Sequence, residues 1–111
     1  MPMLRGTLDP LVLKTVSWSP MHAFEITNWI EERSDRRVQI DDAALLQALH
    51  RLEERRYLAG EWGVTENARR AKYYSLTAAG RAYLRTEAAR LVDHLDAIVS
   101  ILSAKTSKSR G

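Results

Sequence analysis

The chain has 111 residues, of which 45% are hydrophobic and none is cysteine. This length fits one small domain with an appended helix, and the lack of cysteine excludes disulfide bonds and thiol chemistry. The net charge is +3, and Lys105, Lys108 and Arg110 in the last nine residues supply a charge of +3, which leaves zero for residues 1–102. The overall charge is therefore only weak support for a nucleic-acid partner.

The first residues do not resemble a signal peptide, and no apolar run is long enough to span a bilayer, so we expect a cytoplasmic protein. Apolar side chains at helical spacing predict a first helix from about Leu8 to Trp18. Ser19 followed by Pro20 is typical of a helix start. A second helix is therefore predicted from that point to near Ser34.

A third helix is predicted over AALLQALHRLEERR, capped by Asp41 or Asp42. Its apolar side is formed by four residues with helical spacing, which are Leu45, Ala48, Leu49 and Leu52. The opposite side carries Ala43, Gln47, His50 and Glu54, with Leu46 and Arg51 at the borders. This helix should be half buried and half presented to a partner.

Two alternating stretches, YLAGEWGV and AKYYSL, are joined by a polar, cationic segment. Such a pattern predicts a β-hairpin with residues 66–70 at its tip. Tyr73 and Tyr74 then belong to the return strand, and one of the two rings should pack inward so that the tip is held out rigidly.

Thr77 is expected to cap a long last helix. Its apolar residues recur in alternating steps of four and three, at Leu84, Ala88, Leu91, Leu95, Ile98 and Leu102. These steps define a heptad seam. The seam can pack back on its own domain or pair with a second copy, and the compact core already available to the preceding elements favours self-association.

Three helices followed by a hairpin and a long helix make a mainly α fold with a small β-hairpin, the order of a winged helix-turn-helix. In that plan the third helix enters the DNA major groove and the hairpin tip is the wing. The candidate DNA contacts are Gln47, His50 and Arg51 from the helix and Asn67, Arg69, Arg70 and Lys72 from the wing. The alternatives are a solvated cationic loop, a surface His50, and an Arg51 that pairs with Glu54.

Four stretches, LRGTLDPLVL, SPMHAFEI, ALHRLEERRYL and EWGVTENARRAKYYSLTAAGR, resemble the PadR-like transcriptional regulators over residues 4–102. The resemblance implies a bacterial homodimeric repressor whose C-terminal helix forms the dimer, and in some members a small-molecule effector releases the DNA. The implied division is a DNA-binding domain at 1–77, a dimerisation helix at 78–104 and a basic flexible tail at 105–111.

The chain departs from this family at two places. Members usually carry Ser or Thr followed by Leu-Tyr-Pro early in the third helix, where the hydroxyls contact DNA, but this chain has Ala44, Leu45, Leu46 and Gln47. Those two hydroxyl contacts cannot be transferred. The usual Met-His-Gly-Tyr before the second helix ends here in Phe24, which we interpret as a core substitution.

No glycine-rich phosphate loop, nucleophile motif or paired catalytic carboxylates are present, so we predict neither an enzyme nor a cofactor. The three histidines lie on three different helices and do not indicate a metal site. Trp18 and Trp62 are candidates for an effector pocket, and the alternative is a core or interface role.

The leading hypothesis is a homodimeric, ligand-responsive repressor that binds a pseudo-palindromic double-stranded DNA operator. The alternative is a protein-interaction module that has lost specific DNA readout. Ala44, Leu46 and Gln47 motivate this alternative, because an exposed Leu46 suits a protein partner better than a duplex.

Overall fold

The computed structural model describes residues 6–105, which form four helices and one antiparallel hairpin. The helices are α1 (Leu8–Val16), α2 (Ala23–Arg33), α3 (Asp42–Glu54) and α4 (Ala78–Leu102), and the strands are β1 (Leu58–Val64) and β2 (Arg70–Leu76). The order helix, helix, helix, hairpin, long helix confirms the predicted mainly α winged helix-turn-helix. Most of the predicted basic tail, residues 106–111, lies outside the described residues.

The start of α2 was predicted wrongly. The helix begins at Ala23 rather than directly after Ser19 and Pro20. The reason is a long-range backbone pairing, in which the N–H of Met21 donates to the carbonyl of Tyr74 at 3.1 Å and the N–H of Tyr74 donates back at 2.9 Å. This bridge holds the residues before α2 extended.

His22 is the residue that caps α2. Its Nδ1 accepts the backbone N–H of Glu25 at 3.4 Å, and the Glu25 carboxylate accepts the backbone N–H of His22 at 3.1 Å. This reciprocal capping box satisfies two donors at the helix start. Helix α1, which precedes this connection, ends at Val16, two residues before its predicted end at Trp18.

The core lies where α1, α2 and α3 meet the base of the hairpin. Its fully buried side chains include Leu13 of α1, Ile26 of α2, Leu49 and Leu52 of α3, and Leu58 of β1. All four residues predicted for the inner side of α3 are buried, which confirms that prediction. The outer side of the same helix is left to solvent.

The hairpin pairs Leu58 with Leu76 at its base and Val64 with Arg70 at its outer end. Tyr74 is buried in the core, so one of the two tyrosines packs inward as predicted. The other, Tyr73, places its ring edge-on to His22 with the ring centres 5.3 Å apart. The base of the hairpin is thus anchored on two sides, and its outer half projects beyond the core.

Thr77 caps α4 as predicted, because its Oγ1 accepts the backbone N–H of Gly80 at 2.9 Å. The N-terminal half of α4 packs on the rest of the chain through Leu84 in the core and through Tyr83, which stacks on Tyr57 at 4.3 Å. The molecule measures 64 × 28 × 21 Å, which shows that the 25-residue helix extends well past the domain. None of the described helices is long and apolar enough to cross a membrane.

Candidate nucleic-acid interface

The outward side of α3 presents a continuous stripe. Its exposed residues recur at helical spacing and are Ala43, Leu46, Gln47, His50 and Glu54. The stripe exists because the opposite side is filled by leucines of the core. The helix start is fixed by Asp41, whose carboxylate accepts the backbone N–H of Ala44 at 3.0 Å. The amide of Gln47 and the imidazole of His50 are therefore held on a rigid rod and face outward.

Arg51, a candidate DNA contact at the border of this stripe, is bonded to another helix of the same chain. Its Nη2 donates to Oδ1 of Asp9 at 2.6 Å and its Nε donates to Oδ2 at 3.3 Å. The hydrogen bond to Asp9 raises the pKa of the Arg51 guanidinium, which therefore stays protonated. Glu54, the alternative partner, lies instead 3.4 Å from His50. Arg51 therefore joins α3 to α1 through two of its five N–H groups.

The wing tip is a defined turn between the two strands. The N–H of Thr65 donates to the carbonyl of Arg69 at 2.8 Å, and the hydroxyl of Thr65 accepts the N–H groups of Asn67 and Arg69 at 3.3 Å. Ala68 takes a left-handed backbone conformation with φ of 61°. The side chains of Asn67 and Arg69 are exposed on this ordered turn.

Arg70 stands at the first position of β2 and stacks over Trp62, with its guanidinium carbon 4.7 Å from the ring centre. A planar cation on an indole face keeps its N–H groups free at the edges for a further acceptor. Within the described residues, neither Arg69 nor Arg70 forms an ion pair with a carboxylate. These two arginines are available to an anionic partner.

Lys72 differs from the other two wing cations. Its ammonium lies 2.9 Å from the carboxylate of Glu53 on α3, and this hydrogen bond raises the pKa of Lys72. Gly60 on β1 leaves the space for this pair, since a Cβ there would collide with both side chains. Lys72 is one of the predicted phosphate contacts, and in the free chain this pair fastens the hairpin to α3.

Leu46 of the stripe, the wing and the start of α2 line an open groove of about 910 Å³. Three large apolar side chains line it while remaining exposed, namely Phe24 at 70%, Trp62 at 59% and Leu46 at 56%. The interpretation of Phe24 as a core residue is therefore wrong. The helical period of the sequence could have predicted that Phe24 is exposed, because Phe24 lies about 200° around α2 from the buried Ile26.

The two tryptophans proposed for an effector pocket are both exposed and do not share this groove. Trp62 lines it, whereas Trp18, which is 66% exposed, does not. The ammonium of Lys14 lies 5.0 Å from the ring centre of Trp18. The two indoles therefore stand at separate places. Within residues 6–105, no group of three or more His, Cys, Asp or Glu side chains is arranged to hold a metal ion.

The predicted seam on α4 divides into two parts. Leu84 lies in the core of its own chain and Ala88 packs against that core. Beyond Ala88 the helix has left the domain, and its large apolar side chains are exposed or half buried in the single chain. These are Leu91, Val92, Leu95, Ile98, Val99, Ile101 and Leu102.

A helix-turn-helix whose outward helix and cationic hairpin border one groove defines the class of winged-helix proteins. Comparison with known families agrees with this class and identifies one family within it. Residues 12–86 match the model of the transcriptional regulator PadR-like family. The chain belongs to this family, which consists of transcriptional regulators rather than enzymes.

Individual proteins are also similar to this chain in sequence or in structure. The chain is 31% identical over 81 residues to an uncharacterized protein X of Lysinibacillus sphaericus, covering 73% of this chain and 74% of that protein. It is similar in structure to a transcriptional regulator from Clostridium thermocellum, with a TM-score of 0.77, 25% identity and coverage of 86% and 90% of the two chains. It is also similar in structure to a PadR family transcriptional regulator from Eggerthella lenta, with a TM-score of 0.74, 27% identity and coverage of 91% of this chain and 86% of that chain.

Proposed function

We propose that this regulator is a homodimer that binds a pseudo-palindromic site in double-stranded DNA, with the stripe of α3 in the major groove and the wing on the adjacent backbone. The observation that carries the proposal is the shared groove. Leu46 of the α3 stripe and the two unpaired arginines of the wing line the same open space, and the exposed Gln47 and His50 continue that stripe along the helix. This arrangement suits a polyanion whose bases are read between its phosphates.

The exposed residues of α3 and of the wing take different roles in this proposal. Gln47 can pair with adenine through two hydrogen bonds, and His50 lies one turn further along the same stripe. Asn67, Arg69 and Arg70 contact the sugar-phosphate backbone, where the arginines release counterions and supply affinity for any sequence. The unusual Ala44 adds no hydroxyl to these contacts.

The dimer is proposed to form through the free part of the α4 seam, so that residues 1–77 bind DNA and residues 78–104 join the two copies. Large apolar side chains on a projecting helix gain most from burial against the same helix of a second chain. Two-fold symmetry then demands two half-sites separated by about 34 Å, one turn of the duplex.

The dimer can be tested separately from DNA binding. Leu95→Glu together with Ile98→Glu should give a monomer at micromolar concentration in sedimentation, because two charges would be placed in the seam of each copy. Ser100→Glu adds a charge to an exposed position of the same helix and should remain dimeric. A wild-type chain that is monomeric at that concentration contradicts the proposed assembly.

We also propose that binding represses transcription and that a small-molecule effector releases the DNA. Trp18 and Trp62 are exposed beside Lys14 and Arg70, respectively, and an exposed indole offers an aromatic effector a surface to stack on. Candidate ligands should quench the indole fluorescence and weaken DNA binding together. Quenching without any change in DNA affinity would remove the ligand response from the proposal.

A selection of bound fragments from genomic DNA tests the central claim, and enrichment of a palindrome is the expected result. On the selected site, Arg69→Ala with Arg70→Ala should weaken binding to all sequences and flatten the dependence of log affinity on log salt. The slope should fall by about 0.9 for each phosphate that is no longer neutralised, or about 3.6 for four arginines in a dimer.

Arg81→Ala with Arg85→Ala removes the same charge from exposed positions of α4 and is the matched control. It should change the slope little, since these residues do not line the groove. Equal slopes for the wing variant and the wild type would exclude the wing from the interface.

The second candidate function is a protein-interaction module. It is favoured by the exposure of Phe24, Leu46 and Trp62 in one groove, because clustered apolar side chains are typical of protein interfaces. A selection that enriches no DNA sequence, from a chain that is folded and dimeric, would favour this function over the first.

A further inference from the structure

Leu46 has an unusual position for a large aliphatic side chain. It lies in the first half of α3 and is 56% exposed, next to Gln47 and four residues before His50. Nothing in the described part of the chain covers it, whereas Leu45, which precedes it, and Leu49, three residues later, are buried. An apolar group has thus been placed among polar readers, on the side of the helix that faces the groove.

The setting of Leu46 favours a duplex over an apolar protein partner. The same groove is bordered by Arg69 and Arg70, which have no carboxylate partner among the described residues. Two carboxylates also line the groove: that of Glu25 accepts the backbone N–H of His22, and that of Glu66 lies at the exposed wing tip. With three cations and two carboxylates along its lining, this space suits a partner that offers anionic groups at the wing and a small apolar group opposite Leu46.

The DNA major groove offers that combination at one base only. Thymine presents a methyl group at its C5 position, and aliphatic or aromatic side chains recognise it by direct contact. Its pairing partner, adenine, presents an acceptor and a donor that match the amide of a glutamine. Leu46 and Gln47 are adjacent on the outward stripe, so the two side chains can address a thymine and an adenine of the same or of neighbouring base pairs.

We propose that Leu46 is a specificity-determining residue that reads the 5-methyl group of one thymine in each half-site, with Gln47 beside it on an adenine. This inference rests on the proposed function, since it requires the stripe of α3 to lie in the major groove. It gives the operator a defined feature, an A·T-containing step at the position of the first half of α3.

The experiment uses the selected DNA site and exchanges each thymine in turn, symmetrically in both half-sites, for deoxyuridine. This exchange removes the methyl group and leaves every hydrogen-bonding group in place. One position should weaken binding of the wild-type dimer by about fourfold per half-site, the factor expected when one methyl group is no longer buried. The other thymines should tolerate the exchange.

Three variants assign the effect to a side chain. Leu46→Ala should bind the thymine and deoxyuridine sites equally well, because the shortened side chain reaches neither base. Gln47→Ala should keep the preference for thymine while relaxing the preference for adenine. Phe24→Ala, which removes another exposed apolar group from the same groove, should also keep the thymine preference.

The outcomes separate this inference from the proposed function. A wild-type dimer that binds a selected palindrome but ignores every deoxyuridine exchange overturns the role of Leu46 and leaves the function intact. A preference for thymine that survives in Leu46→Ala overturns it as well, since another group must then read the methyl. A selection that yields no DNA sequence overturns both.

Discussion

Arg51 and Asp9 provide a direct test of whether a cation on α3 supports the structure or reads DNA. The guanidinium makes two hydrogen bonds to the carboxylate, at 2.6 and 3.3 Å, from α3 to the first turn of α1. The Arg51 side chain is 45% exposed and that of Asp9 is 19% exposed. The test compares the single replacements Asp9→Ala and Arg51→Ala with the double variant and the wild type.

The expected coupling energy follows from geometry and exposure. Exposed ion pairs contribute about 0.2–1 kcal/mol, because water screens the charges and two side chains lose freedom. The two-pronged geometry and the partly buried carboxylate place this pair at the upper end, so we expect a coupling energy of about 1 kcal/mol. Asp9 also interacts with the N-terminus of α1, and that contribution cancels in the double-mutant cycle.

The measurement is urea unfolding of the four proteins, followed by DNA binding of the folded variants. Glu54→Ala, combined with Asp9→Ala, is the control pair and should show no coupling. A coupling energy below about 0.2 kcal/mol would refute the structural role. So would a loss of preference for one guanine in Arg51→Ala, because a base-reading arginine contributes about 1–3 kcal/mol of discrimination at a single position.

Three further predictions concern stability. Gly80→Ala should lower the free energy of unfolding in urea by roughly 1–3 kcal/mol, because the added Cβ would meet the backbone carbonyl of Tyr57; an unchanged midpoint would contradict this. Arg56→Gly should raise it by roughly 1 kcal/mol, because Arg56 closes α3 in a left-handed conformation with φ of 65°; a destabilised variant would show that its side chain matters. The free energy of unfolding should also fall above about pH 10. A hydrogen bond to a carboxylate raises the pKa of Lys72, and burial raises the pKa of Tyr74. The folded chain therefore keeps protons that the unfolded chain releases, so a rising pH favours unfolding. Tyr74→Phe should reduce that fall above about pH 10, and a fall of equal size would contradict the role of the tyrosine.

Local patterns in the sequence were sufficient for the elements whose burial is periodic. The spacing of leucines in α3 predicted both its buried and its outward side, and the alternation around Tyr74 predicted the hairpin and its inward ring. The start of α2 was missed because Met21 pairs with Tyr74, 53 positions along the chain. A hydroxyl followed by proline is a local signal, and it cannot report that the same backbone is held in a sheet.

The candidate site was predicted less completely because charge is visible in a sequence while its partner is not. Arg51 and Lys72 looked free, yet their carboxylates come from residues 42 and 19 positions away. Only the fold brings Asp9 and Glu53 next to them. The residue types therefore indicated a cationic surface, and the structure was needed to distinguish Arg69 and Arg70 from the cations that hold elements together.

The two paired cations connect parts of the molecule that act together in the proposed DNA complex. Lys72 ties the wing to α3 through Glu53, and Arg51 ties α3 to α1 through Asp9. Helix α1 in turn packs against α4, the helix that carries the proposed seam. Because each link is a defined contact between rigid elements, the position of the seam in the proposed dimer fixes where both copies of α3 lie. A change in the seam should therefore alter the half-site spacing that the dimer accepts, while a change at Leu46 or Gln47 should alter the bases it prefers.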